Sequence, residues 1–179
     1  MMRTGIRILA PLMALAAVPA CTTIYDLQSQ TVGTAVLSFA DGTPAGTAQL
    51  LAKGDQLSLA ISVTAVAPGP HGFHLHSVGS CVTPDFKSAG GHLNPFTKSH
   101  GSLSANGAHL GDLPNLQVGA SQTASTEVDL AGNAANLLDK ILDADGTAVV
   151  IHAGADDYRT DPSGNAGGRI ACGVLSRAS

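Results

Sequence analysis

The 179-residue chain has no tryptophan, only two tyrosines and four phenylalanines, and charge on just 12% of its residues. Without large aromatic side chains, a core must be assembled from Val, Leu, Ile and Ala. Nor is there a basic excess: nine Lys and Arg face thirteen Asp and Glu, a formal net charge of −4. That excludes a nucleic-acid partner, which requires a clustered basic surface. No apolar run reaches the roughly 20 residues of a membrane span. No long amphipathic pattern is present either, which argues against a helical architecture. Cysteines number only three, too few for a disulfide-built scaffold.

What the chain does have is glycine, 21 residues of it, and short β-branched runs. Residues 31–39, 47–52, 56–66, 124–130, 147–152 and 169–175 read as strands. In the third, Leu57, Leu59, Ile61 and Val63 alternate with small or polar residues, so one face is buried and the other solvated. Residues 137–142 form a short apolar stretch. Two Gly-rich segments, 77–121 and 153–168, interrupt the pattern; loops of that length are uncommon unless functional or disordered. One all-β domain over residues 31–179, a sandwich or barrel, accounts for this organisation.

The first thirty residues read differently. Arg3 and Arg7 precede an apolar run at 8–18, which ends in Val18-Pro19-Ala20-Cys21. This is the layout of an export signal over residues 1–20. A small residue followed by cysteine resembles a bacterial lipobox, in which Cys21 is lipidated and residues 21–30 form a polar tether to a membrane. An ordinary secretory peptide cut near Ala20 is the alternative. Either reading places the domain outside the cytoplasm, in the periplasm, and leaves seven basic residues against thirteen acidic ones.

Export makes a disulfide the default for a remaining cysteine pair. If Cys21 is lipidated, that pair is Cys81 and Cys172, closing a loop of 91 residues. In the chain-entropy treatment such a loop contributes about 4–5 kcal/mol. Two separate buried thiols are the other possibility.

All seven histidines fall between His71 and His152. His74 and His76 are two apart on an apparent strand, so they share a face while Phe73 and Leu75 point the other way. With His92, His100, His109, Asp112 and His152 they form a set of metal-type ligands spread over strands and turns, unlike a contiguous solvated His tract. His71 lies off the shared face and reads as structural, hydrogen-bonded to nearby backbone.

Six motifs carry a family resemblance: GFHLH at 72–76, GGHLNP at 90–95, HG at 100–101, HLGDLPNL at 109–116, VVIHAGADD at 149–157 and GNAGGRIACGV at 164–174. Together they resemble the copper/zinc superoxide dismutases, specifically the bacterial exported branch. The resemblance implies an eight-stranded Greek-key barrel or sandwich with two long functional loops. It implies copper on His74, His76, His92 and His152, and zinc on His92, His100, His109 and Asp112, with His92 bridging the two. It further implies that superoxide is converted to dioxygen and hydrogen peroxide by copper redox cycling, with His92 exchanging a proton and zinc structural. Asp156 resembles the family's carboxylate that links a copper histidine to a zinc histidine, with Asp157 as its rival. Arg169 matches the arginine that attracts the anion, and Lys87 or Lys98 could add positive charge. Cys81 and Cys172 match the family's disulfide. A homodimer is one assembly found among bacterial members. The rival reading is a non-catalytic periplasmic copper- or zinc-binding protein; a structural envelope lipoprotein is a more distant one.

Overall fold

The computed structural model describes residues 28–178. The signal segment 1–20, Cys21 and most of the 21–30 tether lie outside the described residues. The chain order is β1 (Gln30–Phe39), β2 (Pro44–Lys53), β3 (Gln56–Val63), β4 (Gly69–His71), β5 (Phe73–His76), β6 (Leu116–Val118), β7 (Ala124–Asp129), helix α1 (Ala134–Ile141), β8 (Thr147–His152) and β9 (Arg169–Arg177). Seven strands make one antiparallel sheet in the order β5-β8-β9-β1-β2-β3-β7, and β4 pairs with β6. Because β4 runs into β5 and β6 lies against β7, the sheet curls into a closed barrel with Greek-key connections.

The break between β4 and β5 is Gly72. Its N–H donates to the Gly154 carbonyl and its carbonyl accepts from His152, both at 2.8 Å. The chain thereby leaves its β6 partner and takes up β8. Counted as one interrupted strand, β4 and β5 bring the barrel to the eight strands expected. A Cβ on Gly72 would lie 2.9 Å from the Ala166 side chain, so the loop beyond β8 presses on this point.

The core follows from the alternation. Leu57, Leu59, Ile61 and Val63 from β3, Phe73 and Leu75 from β5, and Val149 and Ile151 from β8 fill the barrel. The opposite face of β5 and β8 carries His74, His76 and His152, all buried as well. A second, smaller apolar cluster of Phe86, Ala89, Ala148, Val150 and Cys172 closes over that face. This is why every residue of β8 is buried, whereas β7 is mostly exposed.

Several sequence expectations need correction. The third strand ends at Val63, before Ala65, which sits at φ 58°. The stretch 77–121 is not free of regular structure, because Leu116–Val118 pairs with β4. The apolar stretch at 137–142 falls on α1, an eight-residue helix that buries Ala134, Leu137 and Ile141 and whose N-cap Asn133 accepts from the Ala135 N–H. Among the described residues no helix is long and apolar enough to cross a membrane.

Candidate metal centre

Two strands and one long loop deliver the ligand-type side chains. β5 projects His74 and His76, β8 ends in His152, and the 77–121 segment returns His92, His100, His109 and Asp112 to the same face. Local backbone bridges hold the return: His76 pairs with His92 and His74 with Asp112. Gly111 permits this approach, because a Cβ there would lie 2.2 Å from the Leu75 carbonyl oxygen.

Two groups result. His74, His76, His92 and His152 offer one ring nitrogen each, and these atoms lie within 4.8 Å of one another. Each remaining nitrogen is committed elsewhere. His74 Nε2 bonds Asp156 Oδ2 at 2.8 Å, His76 Nδ1 the Gly90 carbonyl at 3.0 Å, and His152 Nδ1 the Gly167 carbonyl at 3.2 Å. These bonds make the bonded nitrogens the N–H donors and leave lone pairs on His74 Nδ1, His76 Nε2 and His152 Nε2. Those three atoms and His92 Nε2 are buried with no hydrogen-bond partner. One orphaned buried polar atom costs about 1–3 kcal/mol; four converging on a point form a nitrogen cage for a transition-metal ion.

The second group meets around Asp112 Oδ1. His92 Nδ1, His100 Nδ1 and His109 Nδ1 lie 2.7, 3.1 and 3.0 Å from it. Asp112 Oδ2 accepts the main-chain N–H groups of Gly101 at 2.7 Å and His109 at 2.9 Å. Three imidazoles and one carboxylate oxygen are the donor set of a closed four-coordinate zinc site. His92 contributes a different ring nitrogen to each group.

Burial sets the electrostatics. It pushes the imidazoles of His76, His152 and His92 down to about 2, 3 and 4, and neighbouring histidines add to the effect. They are therefore neutral at physiological pH, the form that ligates metal. Burial raises the Asp156 carboxyl, but hydrogen bonds from His74, His100 and the Tyr158 N–H outweigh it and hold the group at about 2. Asp112 is likewise held well below the usual carboxylate range, chiefly by His92 against the opposing effect of burial.

Asp156 and Asp157 part company in the structure. Asp156 is buried, with Oδ2 on His74 and Oδ1 3.0 Å from His100 Nε2, so it joins the two groups. Asp157 is exposed and caps its own loop through Thr160 and Asn165. His71 has no nitrogen for a metal, since its two ring nitrogens face the His152 and Ala67 carbonyls at 2.8 and 2.9 Å.

An open pocket of about 510 Å³ leads to the first group, lined by His76, His92, His152, Arg169, Asp85 and Lys87. Arg169 is held at its edge by the carbonyls of Phe86 at 2.7 Å and Gly90 at 2.6 Å. Partial burial lowers its pKa, yet a guanidinium stays charged. Lys87 stands at the mouth but pairs with Asp85 at 2.9 Å. Lys98 lines a different depression and reaches Asn106. The Cys81–Cys172 disulfide fastens the loop that supplies the two Arg169 carbonyls.

Two supporting residues escaped the sequence reading. Asn115 clasps the Asp156 main chain by two bonds, at 2.9 and 2.8 Å. Asp161 accepts the His100 N–H at 2.7 Å. Neither carries a sequence signal, because an Asn or Asp in a Gly-rich loop is usual turn chemistry.

The comparisons agree with this geometry. Residues 44–175 match the family model described as "Copper/zinc superoxide dismutase (SODC)". The chain is 46% identical over 143 residues to "Superoxide dismutase-like protein YojM" of Bacillus subtilis, spanning 75% of this chain and 71% of that protein. It is 42% identical over 140 residues to "Superoxide dismutase [Cu-Zn] 1" of Aquifex aeolicus, spanning 75% and 81%. The crystal structure of a SOD-like protein from Bacillus subtilis superposes with a TM-score of 0.72 at 42% identity, over 80% of this chain and 97% of that one.

Proposed function

The chain belongs to the copper/zinc superoxide dismutase family, and on that premise we propose that His74, His76, His92 and His152 hold its copper and His92, His100, His109 and Asp112 its zinc. The activity of the family is the dismutation of superoxide to dioxygen and hydrogen peroxide. The observation that carries the residue assignment is the set of four buried, partnerless ring nitrogens. When bound, copper supplies the one-electron exchange and zinc a redox-inert positive charge on His92.

The chain's own residues do the rest. The Arg169 guanidinium at the pocket edge attracts and docks the anion, and its two carbonyl bonds fix where it points. His92 Nε2 faces the first group and would be the ring atom that holds a proton when its lone pair is released from the metal, giving the proton up when the metal is held again. Asp156 fixes the tautomers of His74 and His100, so that Nδ1 of each faces its group. The barrel wall of Phe73, Leu75, Val149 and Ile151 keeps water from the opposite side of the strands. A non-catalytic metal-binding role is not favoured, because it gives no reason for an open pocket with a positioned arginine.

Metal titration of the purified protein tests the assignment. It predicts one copper and one zinc per chain, and loss of both stoichiometries in His92→Ala. Undiminished binding of both ions by that variant contradicts it.

We further propose that the protein is exported to the periplasm and tethered there through lipidated Cys21. The Arg3, Arg7 and 8–18 layout supports export, as does the Cys81–Cys172 disulfide, since such bonds persist in oxidising compartments. Metabolic palmitate labelling is expected to mark the protein and to disappear in Cys21→Ser; labelling that survives the change contradicts the tether.

A further inference from the structure

Tyr158 stands outside both ligand groups, yet it bonds to Asp156 itself and to the segments that follow His100 and Asp112. Its backbone N–H donates to Asp156 Oδ1 at 2.6 Å. Its carbonyl oxygen accepts the Leu103 N–H at 3.1 Å, on the segment that follows His100. That segment comes so close that a Cβ on Gly101 would lie 1.9 Å from the same oxygen. Its phenol oxygen accepts the Asn115 N–H at 2.7 Å, on the segment that follows Asp112. Asn115 in turn clasps the main chain of Asp156 on both sides.

One residue therefore ties three strips of chain together: 100–103, 112–115 and 156–158. Two of them carry zinc-type ligands, and the third carries the carboxylate that reaches both groups. To make these bonds Tyr158 takes φ 62°, a conformation few bulky residues adopt. Its side chain lines a small pocket of about 220 Å³ with Ser102, Asp112, Leu113 and Pro114.

We propose that Tyr158 is a positioning residue: its hydroxyl and main chain hold the Asp156 carboxylate in register between His74 and His100, and so tune how firmly the zinc group closes. This rests on the assignment of His92, His100, His109 and Asp112 to zinc. The hydroxyl is the separable part. Tyr158→Phe keeps the ring and the main-chain bonds and leaves only the Asn115 N–H without its acceptor. Groups that orient metal ligands are worth about 10- to 100-fold in metal affinity. Acting one bond further out, Tyr158 is expected to contribute roughly 3- to 10-fold on the same scale.

The test is zinc release to a chelator from the fully loaded protein, in wild type, Tyr158→Phe, Asp156→Asn and the double variant. Cobalt(II) absorption in the zinc group is recorded alongside, because it reads ligand geometry directly. Tyr158→Phe is expected to speed zinc release by roughly 3- to 10-fold and to shift the cobalt spectrum. In the Asp156→Asn background the same change is expected to add nothing, since the pathway through Asp156 is already cut. An unchanged release rate and spectrum in Tyr158→Phe overturns the proposal, and so does an equal acceleration in the Asp156→Asn background, which marks a general loosening of the loop. If wild type takes up no zinc in this group, the zinc assignment falls and the proposal with it; wild-type zinc binding with no effect of Tyr158→Phe overturns the proposal alone.

Discussion

His76 and Arg169 meet at a single oxygen, the carbonyl of Gly90, which accepts from His76 Nδ1 at 3.0 Å and from Arg169 Nη2 at 2.6 Å. A ligand-type histidine and the arginine at the pocket edge are thus referenced to one peptide group. Arg169 spans from there to the Phe86 carbonyl with its other terminal nitrogen. Arg169→Ala is expected to leave the fold intact, because the side chain sits at the edge of an open pocket. Superoxide removal should fall by roughly 10- to 100-fold and its salt dependence should flatten. Arg169→Lys should restore only part of this, since one ammonium cannot reproduce a planar fork across two carbonyls. Rate measurements over a range of ionic strength check both expectations.

The same loop depends on the Cys81–Cys172 bond, which links positions 91 residues apart. Cys172 is buried among Phe86, Ala89, Ala148 and Val150. Replacing both cysteines by alanine is expected to cost about 2–5 kcal/mol in denaturant unfolding. It should also lower superoxide removal in protein that remains folded, because the carbonyls of Phe86 and Gly90 lose their anchorage.

Gly111→Ala places a methyl group 2.2 Å from the Leu75 carbonyl oxygen and 3.0 Å from the Leu93 nitrogen. The segment bearing His109 and Asp112 must then lift away from β5. A loss of roughly 3 kcal/mol in stability and weakened zinc uptake are expected. Gly119→Ala, where the nearest neighbours stand at 3.7 and 3.8 Å, should be neutral in both measurements. Paired unfolding curves and zinc titrations compare the two.

Metal-free protein should lose stability on mild acidification. His76, His92 and His152 are held neutral down to about 2, 4 and 3, while in the unfolded chain they titrate at about 6.5. Below about pH 6.5 the unfolded state therefore binds protons that the folded state does not, and each such group tilts the balance toward unfolding by up to about 1.4 kcal/mol per pH unit. Unfolding curves between pH 7 and pH 5 should show midpoints falling with pH. Loaded protein should resist this further, because bound ions stabilise the folded state.

Much of this was readable from residue order alone. The period-two placing of His74 and His76 against Phe73 and Leu75 translates directly into a buried ligand face and a core face on β5. Alternation in β3 is equally plain. The breaks lie where main-chain partners decide the outcome. Leu116–Val118 is only three residues inside a Gly- and Pro-rich segment, and it becomes a strand because β4 is there to pair with it. The helix at Ala134–Ile141 is too short for its periodicity to stand out. Residue order favours Asp156 and leaves Asp157 as its rival; the loop buries the first and exposes the second. The carbonyls of Gly90 and Phe86 and the phenol of Tyr158 act through contacts that no side-chain pattern announces.

Copper held by the four partnerless nitrogens is the proposed redox centre. Its most direct test is the decay of a superoxide pulse in the presence of copper- and zinc-loaded wild type and His74→Ala, with the metal content of each sample measured in parallel. Rapid catalytic decay with one copper and one zinc per wild-type chain is expected, and loss of both the decay and the tightly bound copper in His74→Ala. Equal decay rates in the two proteins would contradict it.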